Sequence, residues 1–231
     1  HHNHDPLVRR NRVRDIPFGS GIWLDYANRN MRCCHNVVSD VQGLFGGIFG
    51  EASHVANRVD HNLVYDIRQV PETSGGHAIY SHDTDFLQVD HNCCWRCDTE
   101  AIFLHKGQAD RMVDGRGSCS RHHQIHDNLI VDCGKAIGLA HPDSDCHDNV
   151  YAGLRLAGPF RLLELDEHLD LDSWQGFHGL DRTSCIATCS LRLEGTQLIV
   201  RGPLPERTEP AGPFEDWTDG AAIHLDPRPS H

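Results

Sequence analysis

Two acids and two histidines recur at one position of a repeated segment. Gly21-Ile-Trp-Leu-Asp25, Gly47-Ile-Phe-Gly-Glu51, Ala78-Ile-Tyr-Ser-His82 and Ala101-Ile-Phe-Leu-His105 each join a small residue, an isoleucine, an aromatic residue and a closing polar side chain. A fifth copy, KAIGLA over residues 135–140, closes on Ala140. If these segments stack as neighbouring strands, Asp25, Glu51, His82 and His105 form one row. Side chains alternate along a strand, so a core-facing row of isoleucines sends the aromatic and the polar positions to the opposite face. Equivalent atoms on adjacent strands lie about 4.8 Å apart, which sets the carboxyl groups of Asp25 and Glu51 at about 5 Å. Carboxyl groups about 5 to 5.5 Å apart suit double displacement at a sugar's anomeric carbon, whereas single displacement needs about 6.5 to 9.5 Å to admit a water. Asp25, the shorter side chain, set between Trp23 and Tyr26, is then the nucleophile, and Glu51 the general acid/base. Trp23, Phe49, Tyr80 and Phe103 are expected to be exposed, with Trp23, Phe49 and Tyr80 stacking on sugar C–H faces. His54, His82 and His105 are expected to contact hydroxyl groups.

Positioning such a row requires stacked repeats, and a second pattern supplies them. Arg10-Asn11, His35-Asn36, His61-Asn62, His91-Asn92, Asp127-Asn128 and Asp148-Asn149 each precede a short β-branched or apolar run, with asparagines 25, 26, 30, 36 and 21 residues apart. Repeats of this length, with short strands and no long helical pattern, predict an all-β chain folded as a parallel β-solenoid, one repeat per coil. Stacked asparagines can adopt left-handed backbone angles and bond to one another along the stack, so this row is read as architecture. The histidines at 35, 61 and 91 belong to the same turns and are not expected to bind metal. The longer intervals predict protruding loops at 69–76 and 106–121, both following strands that could border a cleft.

After about residue 153 the repeat stops. Residues 1–153 are read as coils and 154–231 as a small capping subdomain covering the last coil, with one short helix over 169–178. Strands are expected at 161–166, 186–194, 197–201 and 221–226, and a Pro-rich loop at 203–213. The formal charge of −12 argues against nucleic acid or an anionic membrane surface, since both demand a basic patch. A neutral carbohydrate is the easier substrate. Of ten cysteines, Cys93, Cys94, Cys97 and Cys133 fall where other repeats carry aliphatic residues, which reads as core filling. Cys33, Cys34, Cys185 and Cys189 stay open, and the pattern suits a reducing, cytoplasmic compartment slightly better than an oxidising one. No cofactor is expected. Glu51, His82 and His105 rise in one row spanning nearly ~10 Å, too far for three ligands about 2 Å from one ion.

The segments GIWLDY (21–26) and GIFGEASH (47–54), with the HNxVxD-type turns between them, resemble the right-handed parallel β-helix enzymes of glycoside hydrolase family 120, the β-xylosidases and their relatives. The resemblance covers about residues 10–150, and the tail from LDLDSWQGF to GPFEDW and HLDPRP is similar to the C-terminal end of such enzymes. It implies a right-handed coil, a retaining mechanism, Asp25 as nucleophile and Glu51 as acid/base. It also implies that this chain is a portion of a longer protein with further N-terminal coils, or acts with such a portion or in a homo-oligomer. The absence of a starting methionine fits a fragment or a processed product, and the opening histidines fit the remnant of a tag. Two other readings stay open: a polysaccharide lyase using Lys106 or Arg111, and a non-catalytic carbohydrate-binding solenoid.

Overall fold

The computed structural model describes residues 3–107, 111–117, 119–205, 210–215 and 218–225. The opening His1 and His2, parts of the second insertion and of the Pro-rich loop, Asp216 and Trp217 of GPFEDW, and the chain from Asp226 onward lie outside them.

Among the described residues the protein is predominantly β, about 49% strand, with one short helical segment. Each pass of the repeat visits three parallel sheets in turn, and neighbours within a sheet are one repeat apart. The first sheet runs from Leu7–Arg9 through Arg32–Cys34, Asn57–Asp60, Leu87–Asp90 and Gln124–His126 to Asp145–His147. The second holds Val37–Gly43, Leu63–Gln69, Cys93–Cys97, Leu129–Val131 and Val150–Ala152. The third carries the polar row: Ile22–Leu24, Gly46–Glu51, His77–His82, Glu100–His105, Lys135–Leu139 and Phe160–Leu162. Ile48, Ile79, Ile102 and Ile137 pair in register and are buried in one long core, into which Ile22 also packs. Gly47 precedes its isoleucine for a steric reason, since a Cβ there would lie 2.5 Å from a Val64 methyl carbon.

The asparagine row is a continuous hydrogen-bond ladder. The Nδ2 groups of Asn11, Asn36, Asn62, Asn92 and Asn128 each donate to Oδ1 of the next asparagine at 2.9–3.1 Å. The left-handed residue is not the asparagine, as its turn propensity suggests, but the one before it: Arg10, His35, His61, His91, Asp127 and Asp148 have φ of 52–56°. That residue turns the chain between the first and second sheets, which frees the asparagine side chain to point along the stack. A second left-handed residue five positions later, Asp40, Asp66, Arg96 or Asp132, bends the strand again. Histidine and aspartate are among the few side chains that occupy this region readily.

Parallel pairing continues past residue 153, with Phe160–Leu162 on Lys135–Leu139 and Cys185–Ile186 on Val150–Ala152. The helical segment is 171–178, where Asp170 caps the first turn by accepting from the Ser173 amide. It presses Leu171 and Trp174 onto the end of the main core. Asp181 and Ser184 end the ladder: Asn149 Nδ2 donates to Asp181 Oδ1 at 2.8 Å, and Ser184 Oγ accepts from the Asn149 amide at 2.8 Å. Strands Ser190–Glu194, Gln197–Arg201 and Ala222–His224 form a small antiparallel sheet packed on the outer side of the second sheet. All ten cysteines are free, and Cys93, Cys94, Cys97 and Cys133 are fully buried, as core filling predicts. Burial pushes the Cys93 and Cys94 thiols up. Among the described residues no helix is long and apolar enough to cross a membrane.

Candidate functional site

The third sheet's outer face carries the candidate site. Glu51, His82 and His105 are directly paired across three strands. Asp25 lies one residue beyond the end of its strand. Leu24 pairs with Gly50 and Arg32 with Arg58, eight residues on in both repeats, so Asp25 is opposite Glu51 by count. The following turns differ, because Ala27 takes the left-handed conformation that Ala52 and Asp83 take one position earlier. Asp25 is exposed, and its Oδ1 accepts from the Tyr26 amide at 2.8 Å.

The expected series of exposed aromatics narrows to one. Trp23 is 57% exposed, whereas Phe49, Tyr80 and Phe103 are 1%, 2% and 5% exposed, clustered with Phe45 and Leu163. Phe49 and Tyr80 therefore offer no open ring face to a sugar. Alternation sends them out of the main core correctly, but side chains from the connections before Gly46–Glu51 and after Phe160–Leu162 cover them. The row of rings ends at Gly138, where a Cβ would lie 2.5 Å from Phe103 Cδ2. Trp23 stacks on Phe49 at 5.4 Å and its indole N–H donates to Glu51 Oε2 at 3.0 Å.

The second insertion folds back over the row. Its hairpin, Met112–Val113 with Arg116–Gly117, buries Val113 against Ala27 and Ala52, and the Met112 carbonyl accepts from the Tyr26 hydroxyl at 3.0 Å. This brings the Arg111 guanidinium to Glu51 Oε1 at 2.5 Å and to Asp83 Oδ2 at 3.7 Å. Asp83, fully buried, also lies 2.9 Å from His82 Nδ1 and accepts from the Gly107 amide at 2.9 Å. His105 Nε2 is 2.7 Å from the Tyr80 hydroxyl. Burial, and then the neighbouring His82 and His77, hold the His105 pKa down at about 4; burial pushes the Tyr80 phenol up. Both are neutral near pH 7, so the bond between them joins two uncharged groups. His54 is not at the row's open side: its Nδ1 is 2.6 Å from Asp85 Oδ2, and its side chain is 6% exposed.

Sequence reasoning placed Arg111 in a loop beside the row but could not place it on Glu51, a contact made by tertiary folding of the insertion. It missed a second polar group at the other edge of the same face: His77, Glu100 and Lys135, each two residues before its isoleucine, joined by Arg161. Extending the repeat alignment two residues upstream finds the first three.

Three groups of potential metal ligands occur among the described residues, all at the asparagine turns: Cys34, His35 and Asp60; His61, Asp90 and His91; and His91, His126 and Asp127. His35, His61 and His91 stack at 5.0 and 4.8 Å with interplanar angles of 3° and 2°. These parallel rings direct their lone pairs side by side, not toward one point, whereas His91 and His126 meet edge to face at 85°. Nδ1 of His61 and of His91 is already 2.9 Å from the neighbouring Asp60 and Asp90 carboxylates. Arg32 and Arg58 brace those carboxylates at 2.6 and 2.5 Å. Burial raises the Asp60 and Asp90 pKa values, but these histidine and arginine hydrogen bonds outweigh it and leave both lowered. The arrangement is a stack of imidazole–carboxylate pairs.

Comparison with known proteins gives no assignment: no family model, no curated protein and no solved structure matches this chain.

Proposed function

We propose that this chain is part of a retaining glycoside hydrolase resembling family 120, built as a right-handed parallel β-helix with residues 154–231 as its cap. The observation that carries the reading is the strand register that ends at Leu24–Gly50: continued by one residue, it brings the exposed Asp25 opposite Glu51 by count. A strand spacing of about 4.8 Å would set the two carboxyl groups about 5 Å apart, the separation a glycosyl-enzyme intermediate requires. Asp25 attacks the anomeric carbon as the glycosidic C–O bond breaks, and Glu51 gives its proton to the leaving oxygen. Glu51 then takes a proton from water, whose oxygen displaces Asp25 with net retention. Trp23, the exposed ring, provides the stacking face and holds Glu51 Oε2. Arg111 occupies Oε1, so substrate entry opens that contact and leaves this oxygen facing the leaving group. His82 and His105 lie farther along the row, toward the substrate hydroxyls.

The test is cleavage of nitrophenyl glycosides, beginning with the β-xyloside. Asp25→Ala is expected to abolish turnover. Glu51→Ala is expected to retain turnover with good leaving groups and to be accelerated by azide. A 2-fluoroglycoside should leave one sugar mass on the peptide containing Asp25. Absence of cleavage of every aryl glycoside by the folded full-length protein refutes the hydrolase. A second reading draws on Arg111 beside the row: a lyase in which this guanidinium serves the base role. An unsaturated, ultraviolet-absorbing uronate product, lost in Arg111→Ala, identifies it.

A further inference from the structure

A separate cavity of about 220 Å³ opens at the other edge of the third sheet, lined by His77, Glu100, Phe103, Lys135 and Arg161 among others. Along the strand Glu100–His105, Glu100 is five residues from His105 of the polar row, roughly 16 Å, while Phe103 of the cavity wall stacks on His105 at 4.8 Å. Its volume is below the ~300 Å³ at which pockets for drug-sized ligands begin, and it suits a ligand of about one sugar ring.

Three features of the wall are unusual. The Glu100 side chain is only 7% exposed, yet its carboxylate makes no hydrogen bond to the described residues: Lys135 Nζ and Arg161 Nη1 both stand 4.0 Å from Oε1, and His77 Nδ1 stands 3.4 Å from Oε2. Arg161 Nε is buried with no hydrogen-bond partner among the described residues. Of these two groups only the Arg161 N–H is a buried polar atom left without a partner, a state that Arg29 Nε and Arg96 Nε share among the described residues; buried polar groups are ordinarily satisfied. The charge is also unbalanced. Two cations face one carboxylate, with Lys135 Nζ also 3.0 Å from His168 Nδ1, and burial lowers the His77 pKa and keeps the ring neutral, with Nε2 2.6 Å from the Ser74 carbonyl. In a chain of net charge −12 this is a local positive site.

A ligand that completes these groups must bring one negative charge for Lys135 and Arg161, and hydroxyl hydrogens for Glu100. Phe103, stacked between His77 at 4.6 Å and His105 at 4.8 Å, presents only a ring edge to the cavity. We propose that this cavity binds a single sugar-acid unit, its carboxylate on Lys135 and Arg161 and its hydroxyls on Glu100. The site stands independently of the Asp25–Glu51 reading, because its test reads binding and not turnover.

The experiment is calorimetric titration of the protein with glucuronate and galacturonate, with glucose and xylose as neutral sugars, and acetate as a plain carboxylate. Saturable, millimolar or tighter binding of a sugar acid is expected, with neutral sugars and acetate at least about tenfold weaker. Lys135→Ala and Arg161→Ala should each weaken the sugar acid about tenfold or more, while circular dichroism stays unchanged. Lys135→Arg should retain binding. Glu100→Gln, which removes a like charge and an acceptor, should tighten acetate and narrow the sugar-acid preference. Absence of sugar-acid binding, equal binding of acetate, or binding that survives both alanine substitutions overturns the proposal.

Discussion

The asparagine ladder gives the sharpest test of how the repeat is held together. Asn92 sits in its middle, fully buried. Its Oδ1 accepts from the Asn62 amide at 3.0 Å and from Asn62 Nδ2 at 2.9 Å. Its Nδ2 donates to the Val59 carbonyl at 2.8 Å, the Asp90 carbonyl at 3.0 Å and Asn128 Oδ1 at 3.1 Å. Asn92→Ala removes all of these and strands the Asn62 amide in the interior, whereas Asn62 Nδ2 keeps the Cys33 carbonyl. Two net hydrogen bonds at about 1 kcal/mol each, and one orphaned buried donor at about 1–3 kcal/mol, give a loss of about 3–5 kcal/mol. Asn11 is an internal control: it makes the same upward bonds to Asn36 but lies exposed at the end of the ladder. Water replaces its partners, so Asn11→Ala should cost about 0.5 kcal/mol or less. Urea unfolding followed by circular dichroism measures both. Equal losses for the two substitutions would refute the ladder as a buried, cooperative element. Asn92→Asp should be nearly as costly as alanine, since a carboxylate keeps the acceptor but cannot donate onward and adds a buried charge.

Other outcomes follow from single contacts. Burial holds His123 down at about 3, and burial with nearby histidines holds His105 at about 4, against an ordinary value of 6.5. The unfolded chain therefore binds more protons below 6.5, and stability is lost as pH falls through that value toward 4; at pH 5 each histidine should cost about 2 kcal/mol relative to pH 7. An unchanged urea midpoint between pH 7 and pH 5 contradicts this. Gly138→Ala drives a methyl group into the Phe103 ring, which stacks on both His77 and His105, and should cost about 1–3 kcal/mol while shifting the His105 imidazole resonances. Arg111→Ala removes the anchor of the second insertion on Glu51 and should speed proteolytic cleavage within 106–121, with little change in global stability.

The sequence by itself determined which residues are neighbours. A repeat of strands with one side-chain period fixes register, because a slip of one residue would turn the whole isoleucine row outward. That is why Ile48, Ile79, Ile102 and Ile137 pair as counted, why Glu51, His82 and His105 share a row, and why the asparagines form a ladder. The left-handed turn residue was misplaced by one because propensity names asparagine first, whereas the ladder requires the asparagine side chain for bonding and leaves the turn to its neighbour. Tertiary structure alone decided what covers each row. Alternation shows that Phe49, Tyr80 and Phe103 leave the main core, but Phe45 and Leu163, which bury them, come from connections with no fixed register. The same holds for Arg111: an irregular insertion carries it to Glu51, and no periodicity encodes where such a segment lands. Glu100, Lys135 and Arg161 converge for both reasons at once, since the repeat aligns the first two and only the folded sheet adds the third.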